Sequence, residues 1–204
     1  MKKLLVSILI AAILWFVMFS PWTAPLLNFW KVMAVSATLL IALSVWFGKD
    51  LNKQFQLASK DVALGLASAI VLWFVFYLGD YFSSLLFDFA KPQVGSIYQM
   101  KEGENPLFLG LLLAFLVGPA EEIFWRGYVQ RTLGGKYGEW MALIFTTLVY
   151  ALVHIWSFNF MLIMAALVCG GFWGLLYKYT KNMVVLIISH AVWDVLVFIV
   201  FPIL

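Results

Sequence analysis

Charge is scarce in this sequence. Asp, Glu, Lys and Arg make up 11% of its 204 residues, against 65% hydrophobic side chains. So few charges cannot cover the surface of a soluble domain, and the chain reads as an integral membrane protein. Cysteine is nearly missing: Cys169 stands alone in an apolar stretch, which rules out an internal disulfide. There are only two histidines, His154 and His190, so the titratable groups within the apolar runs form a small set. No H-E-x-x-H pattern occurs, and no phosphate-loop pattern surrounds Gly170, Gly171 and Gly174. Basic residues outnumber acidic ones by three, but they are scattered over several loops without aromatic interleaving, so nucleic acid is not an expected partner. Ten-residue alternating segments are also lacking, and the helix-length apolar runs point to a helical bundle rather than an outer-membrane barrel.

Seven segments can be read as spans, at about 4 to 20, 26 to 47, 62 to 79, 107 to 130, 139 to 156, 159 to 177 and 183 to 203, each near the ~20 residues that a crossing helix needs. The expected fold is all-α: a polytopic transmembrane helical bundle of about seven spans, a single membrane domain over residues 1–204. Lys2 and Lys3 before an apolar run resemble a signal peptide. The run continues through Phe19 into Ser20-Pro21-Trp22, however, which is a poor cleavage site, so the first span is expected to be retained. Alternate threading puts Lys2, Lys3, Lys49, Lys53, Lys60, Arg126, Arg131, Lys136, Lys178 and Lys181 on one side, ten of the thirteen basic residues. The positive-inside rule then places the N-terminus in the cytoplasm and the C-terminus outside, with the plasma membrane as the expected location.

The stretch from Tyr81 to Pro106 mixes charges with Leu85, Leu86, Phe87 and Phe89 and is expected to lie along the outer interface. Trp22, Trp30, Trp140, Trp156, Tyr137 and Tyr177 fall near span ends, where amphipathic rings anchor at the headgroups. Asp80 reads as a boundary residue, and Gly170, Gly171 and Gly174 as sites of close helix packing.

Against this background the adjacent carboxylates Glu121 and Glu122, followed by Arg126, stand out. A charge at membrane depth is costly and is kept for chemistry, transport or a buried ion pair. Proline removes a backbone donor, so Gly118-Pro119 predicts a kink or a fresh helix start whose free N–H groups point at the carboxylates. Glu122 and Arg126 are four apart and share a face, while Glu121 projects about 100° away. The simplest division has Arg126 neutralising Glu122 in a supporting role while Glu121 faces a cavity; the swap of the two carboxylates stays open. At ~1.5 Å per residue, Glu121 and His154 each lie roughly 21 to 23 Å into their spans, and His190 and Asp194, also four apart, roughly 10 to 17 Å into the last one.

Three spacings, E-E-x-x-x-R at Glu121 to Arg126, Y-x-x-x-H at Tyr150 to His154 and H-x-x-x-D at His190 to Asp194, occur in this order within residues 107–204. In order and helical setting they resemble the CPBP family, intramembrane proteases that include CAAX-processing endopeptidases and bacteriocin-processing and bacteriocin-immunity (Abi) proteins. The family pattern usually has Phe where this chain has Tyr150, a change that keeps an aromatic packing role, and it accepts Asn or Asp at position 194.

The resemblance implies that Glu121 and His154 activate water and that His190 with Asp194 stabilises the tetrahedral intermediate. An ionised Asp194 only accepts, so it either orients His190 or acts as a donor in neutral form. Members of the family are often described as metalloproteases, and Glu121, His154 and His190 would suit a catalytic Zn2+ with an open position. Mechanisms without a metal have also been proposed, and the sequence leaves both open. Cys169 has no base near it in sequence, which disfavours a nucleophilic mechanism.

Three functions follow. One is an intramembrane endopeptidase that hydrolyses a peptide bond in a membrane-associated or lipidated protein or peptide. The second is a non-catalytic bacteriocin-immunity or scaffold protein on the same fold. The third is a proton-coupled transporter, although internal repeats would then place broken helices in both halves, whereas the titratable groups here concentrate after residue 118. Expected partners are membrane lipids and a peptide or protein substrate; no oligomeric state is specified. The endopeptidase reading requires Glu121, His154 and His190 to line one polar cavity.

Overall fold

In the computed structural model, which describes residues 1–203, seven helices are long and apolar enough to cross a membrane. In chain order the helices are α1 (Lys2–Phe19), α2 (Phe29–Phe47), α3 (Ser59–Leu86), the short α4 (Ala90–Gln99), α5 (Pro106–Tyr137), α6 (Glu139–Ser157), α7 (Phe160–Thr180) and α8 (Met183–Val200). The protein is thus an all-α membrane bundle, with no strand among the described residues. Helices satisfy every interior backbone group within one segment, as the hydrocarbon requires.

Helix starts are set by asparagine. Asn28, Asn105, Asn159 and Asn182 each accept a hydrogen bond from a backbone N–H in the first turn of α2, α5, α7 and α8. Between α5 and α6 the chain turns on Gly138, whose φ of 84° and ψ of 158° suit only a residue without Cβ.

α5 and α8 are the most buried spans, and α8 packs against both α3 and α5. Small residues permit these approaches. A Cβ on Gly65 would stand 2.9 Å from Ile188, and one on Gly118 would stand 3.3 Å from the backbone nitrogen of Ala191. Gly170 and Gly174 of α7 do the same against Thr147 and Gln130, whereas Gly171 faces open space and takes no part in packing.

The connections gather at the two ends of the bundle. At the end holding the N-terminus, Tyr177 Oη donates to Gln54 Oε1 at 2.6 Å and Asn182 Nδ2 to the Gln56 carbonyl at 2.8 Å. At the other, Trp30 Nε1 donates to the Met100 carbonyl at 2.8 Å and Asn159 Nδ2 to the Gln93 carbonyl at 2.8 Å.

Several sequence expectations need correction. α3 runs to Leu86 rather than ending near 79, so Asp80 lies within it, paired with Lys91 of α4 at 2.8 Å. The residues from Ala90 to Gln99 form α4, which is held onto α7 by Gln93 and forms a wall of the central cavity rather than only an interfacial strap. Trp30 and Tyr177 point inward and hydrogen-bond across the bundle, so they are not headgroup anchors; Trp22, Trp140, Trp156 and Tyr137 are exposed. Arg126 is buried within α5 and drops out of the loop charges, leaving nine basic residues on that side.

No fresh helix begins at Gly118-Pro119. Residues Leu113–Val117 widen into a π turn, with the Gly118 N–H bonded to the Leu113 carbonyl, and the helix continues through Glu122. The wider turn absorbs the donor that proline lacks and the ring's clash with the preceding turn. Consequently no free helix N-terminus points at the carboxylates.

Candidate active site

A cavity of about 450 Å³ opens between the eight helices, α1 contributing Phe19. Most of its wall is apolar, with Phe29, Trp30, Phe76, Phe87, Phe160 and Phe198 among the lining residues. Glu121, Tyr150, His154, His190 and Asp194 also line it. The five are brought together from α5, α6 and α8, so neither histidine faces lipid. The cavity is an apolar chamber with one polar patch, not the polar cavity expected from the sequence.

The patch is built on a buried ion pair. Arg126 Nη1 donates to Glu122 Oε1 at 2.7 Å, and both side chains are fully buried. Adjacent turns of α5 supply the pair, as spacing of four allows. Arg126 Nη2 donates to the Cys169 and Gly170 carbonyls of α7 at 3.3 Å each, and its guanidinium lies 5.0 Å from the Tyr150 ring centre and 5.6 Å from that of Trp173. A buried charge is tolerated only with such partners, and the two aromatic faces add cation–π attraction.

Glu122 serves a second partner. His190 Nδ1 lies 2.8 Å from Glu122 Oε1. A carboxylate held by Arg126 only accepts, so Nδ1 carries the hydrogen. The imidazole stacks on Trp173 at 3.7 Å with 19° between the rings. This fixes its plane and turns Nε2 toward Asp194, whose Oδ2 is 3.6 Å away, beyond hydrogen-bond length.

Glu121 points the other way, into the cavity. Its Oε2 accepts from Tyr150 Oη at 2.5 Å. Tyr150 therefore does more than pack: its hydroxyl grips the cavity-facing carboxylate. One turn on, in the helical end of α6, His154 Nδ1 lies 2.9 Å from the Tyr150 carbonyl, and His154 Nε2 accepts from Trp15 Nε1 of α1 at 3.0 Å. Tyr150 thus stands between Glu121 and His154, which form no hydrogen bond with each other in this structure.

A metal held by Glu121, His154 and His190 would need one lone pair from each imidazole aimed at a common point. His154 directs its Nε2 lone pair at the Trp15 indole, and among the described residues no three His, Cys, Asp or Glu side chains are grouped as a ligand set. The donor set in this arrangement does not fit a zinc ion.

Residues 103–196 match the Rce1-like family, described as type II CAAX prenyl endopeptidase Rce1-like. The match spans 94 of the 204 residues, and over that segment the chain is similar to this family. The match contains all three spacings singled out in the sequence and agrees with the resemblance to CAAX-type intramembrane proteases. At family level this supports a protease in the membrane acting on peptide or protein substrates. No curated protein and no solved structure matches the chain.

Sequence reasoning missed Trp15, Trp173 and the hydroxyl of Tyr150. Trp15 and Trp173 sit in apolar helices where an aromatic residue is ordinary, and no spacing marked them. Tyr150 carried a signal, since a hydroxyl placed where the family pattern has Phe needs a partner when buried.

Proposed function

We propose that this protein is an intramembrane endopeptidase of the CAAX type, in which Glu121 activates the attacking water. The observation that carries the reading is the unequal treatment of the two carboxylates. Glu122 holds both Arg126 and His190 on its Oε1 and is buried away from the cavity, while Glu121 keeps one oxygen on Tyr150 Oη and lines the cavity with the other groups of the patch.

In the reaction, Glu121 takes a proton from water as the oxygen adds to the scissile carbonyl. The oxyanion that forms requires a preorganised donor. His190 is suited to that part: Glu122 holds its Nδ1–H, Trp173 fixes its plane, and Nε2 in the protonated ring donates toward the cavity. Asp194, on the next turn of α8, steadies the imidazolium. Collapse of the intermediate breaks the C–N bond, and Glu121 returns its proton to the leaving amine. His154 assists at the water through Nε2 once the Trp15 indole yields that lone pair.

The apolar chamber suits a substrate that brings a hydrocarbon group with it, so a lipid-modified peptide is the preferred class. The test is to incubate purified protein in detergent with lipidated and unmodified peptides, with and without chelator, and weigh the products. The reading expects one cleavage near the lipidated residue, preference for the lipidated peptides and no effect of chelator. Intact peptides throughout would contradict it, and loss of activity on chelation would contradict the metal-free route.

A further inference from the structure

We propose that Trp15, in the first span and outside the segment matched to the family, is a positioning residue of this site: its indole N–H holds His154 in the tautomer whose Nε2 lone pair can take a proton. The catalytic consequence rests on the peptidase reading; the tautomer rests on geometry alone.

Two contacts specify the ring. An indole nitrogen only donates, so His154 Nε2, at 3.0 Å from Trp15 Nε1, must accept. A backbone carbonyl only accepts, so His154 Nδ1, at 2.9 Å from the Tyr150 oxygen, must carry the hydrogen. The opposite tautomer would set two N–H groups against each other at Nε2 and two lone pairs against each other at Nδ1. Packing reinforces the choice. Trp15 is almost wholly buried and meets the imidazole edge to face at 5.9 Å, and Phe19, one turn further along α1, lies 5.5 Å from the same ring.

For catalysis the consequence is direct. A base must present a lone pair, and the choice of tautomer determines which nitrogen has one. Trp15 acts as a placeholder for the water: it keeps Nε2 unprotonated, and a water that takes over this lone pair meets an imidazole already in the proton-accepting form. The Nδ1–H bond to Tyr150 ties the same residue to Glu121 through the Tyr150 hydroxyl. The first span thereby contributes to the active site as well as crossing the membrane.

The chain has only two histidines, which makes the test clean. Protein labelled with ¹⁵N-histidine in lipid nanodiscs gives two imidazole spin systems, assigned with His190→Gln. The wild-type His154 ring is expected to show a protonated Nδ1 and an unprotonated, hydrogen-bonded Nε2. Trp15→Phe keeps an aromatic ring without the N–H and is expected to introduce a population protonated at Nε2. In the cleavage assay, the same variant is expected to lower kcat by about two- to tenfold, as for loss of one hydrogen bond, with KM held within about twofold. A wild-type His154 protonated at Nε2 overturns the proposal even if the variant fails to fold. So does an unchanged variant spectrum, or an unchanged kcat beside a shifted tautomer. If the wild-type protein cleaves no peptide, the peptidase reading falls, and the spectrum still decides whether Trp15 sets the tautomer.

Discussion

Glu122 and Arg126 are the residues whose separation the bundle tolerates least. Both are fully buried, and removing either leaves the other charge without its partner in a region closed to water. Arg126→Ala is expected to destabilise the protein by about 3–5 kcal/mol, measured by chemical unfolding in detergent. Replacing both at once, as Glu122→Gln with Arg126→Met, is expected to cost less than the single change, because no uncompensated charge remains. Tyr150→Phe should behave differently. It deletes the donor to Glu121 while keeping the ring against Arg126 and Trp125, so kcat is expected to fall by about two- to tenfold with little loss of stability, read from steady-state kinetics beside a thermal scan. At this scale the sequence revealed whichever residues are costly in a membrane: two carboxylates, an arginine and two histidines. It did not reveal their partners, because those are tryptophans, a tyrosine and backbone carbonyls that look ordinary in an apolar helix.

Helix ends and crossings carry their own expectations. Asn182 accepts from the Val184 N–H and donates to the Gln56 carbonyl, so Asn182→Ala removes a cap and a tie between two connections. A loss of about 1–2 kcal/mol is expected, seen as a lower midpoint in denaturant. Gly138→Ala forces a Cβ onto a backbone with φ of 84° and ψ of 158°, and about 1–3 kcal/mol of strain should appear in the same measurement. The spans themselves were legible, since hydrophobic length is what a bilayer selects. Their limits were less so. α3 outruns its apolar core by about two turns at the Asp80 end, where Lys91 from the next helix pairs with that carboxylate, a contact that local hydropathy cannot register. Pro119 predicts a break, yet the π turn at Leu113–Val117 absorbs it without a new helix start.

For the whole molecule, the charge distribution sets the expected orientation. Without Arg126, nine of the twelve remaining basic residues lie in the helix ends and connections at the N-terminal end of the bundle. The positive-inside rule therefore predicts a cytoplasmic N-terminus and an external C-terminus. A protease-sensitive tag at each terminus checks this: in intact cells treated from outside, the C-terminal tag should be cut and the N-terminal tag protected. The order of the motifs along the chain was enough to indicate a protease family, but not how the site is closed. Trp15 and Tyr150 lie 135 positions apart and meet only through His154, so the contribution of the first span emerges only when the bundle is assembled.

The central claim is that Glu121, and not its neighbour, is the base. It is tested most directly by comparing single-turnover cleavage of a lipidated peptide by the wild-type protein and by Glu121→Gln, with far-ultraviolet circular dichroism confirming that both are folded. The account predicts a loss of at least ~10²-fold in the chemical step with intact helical structure. Cleavage at the wild-type rate by a folded Glu121→Gln protein would contradict it.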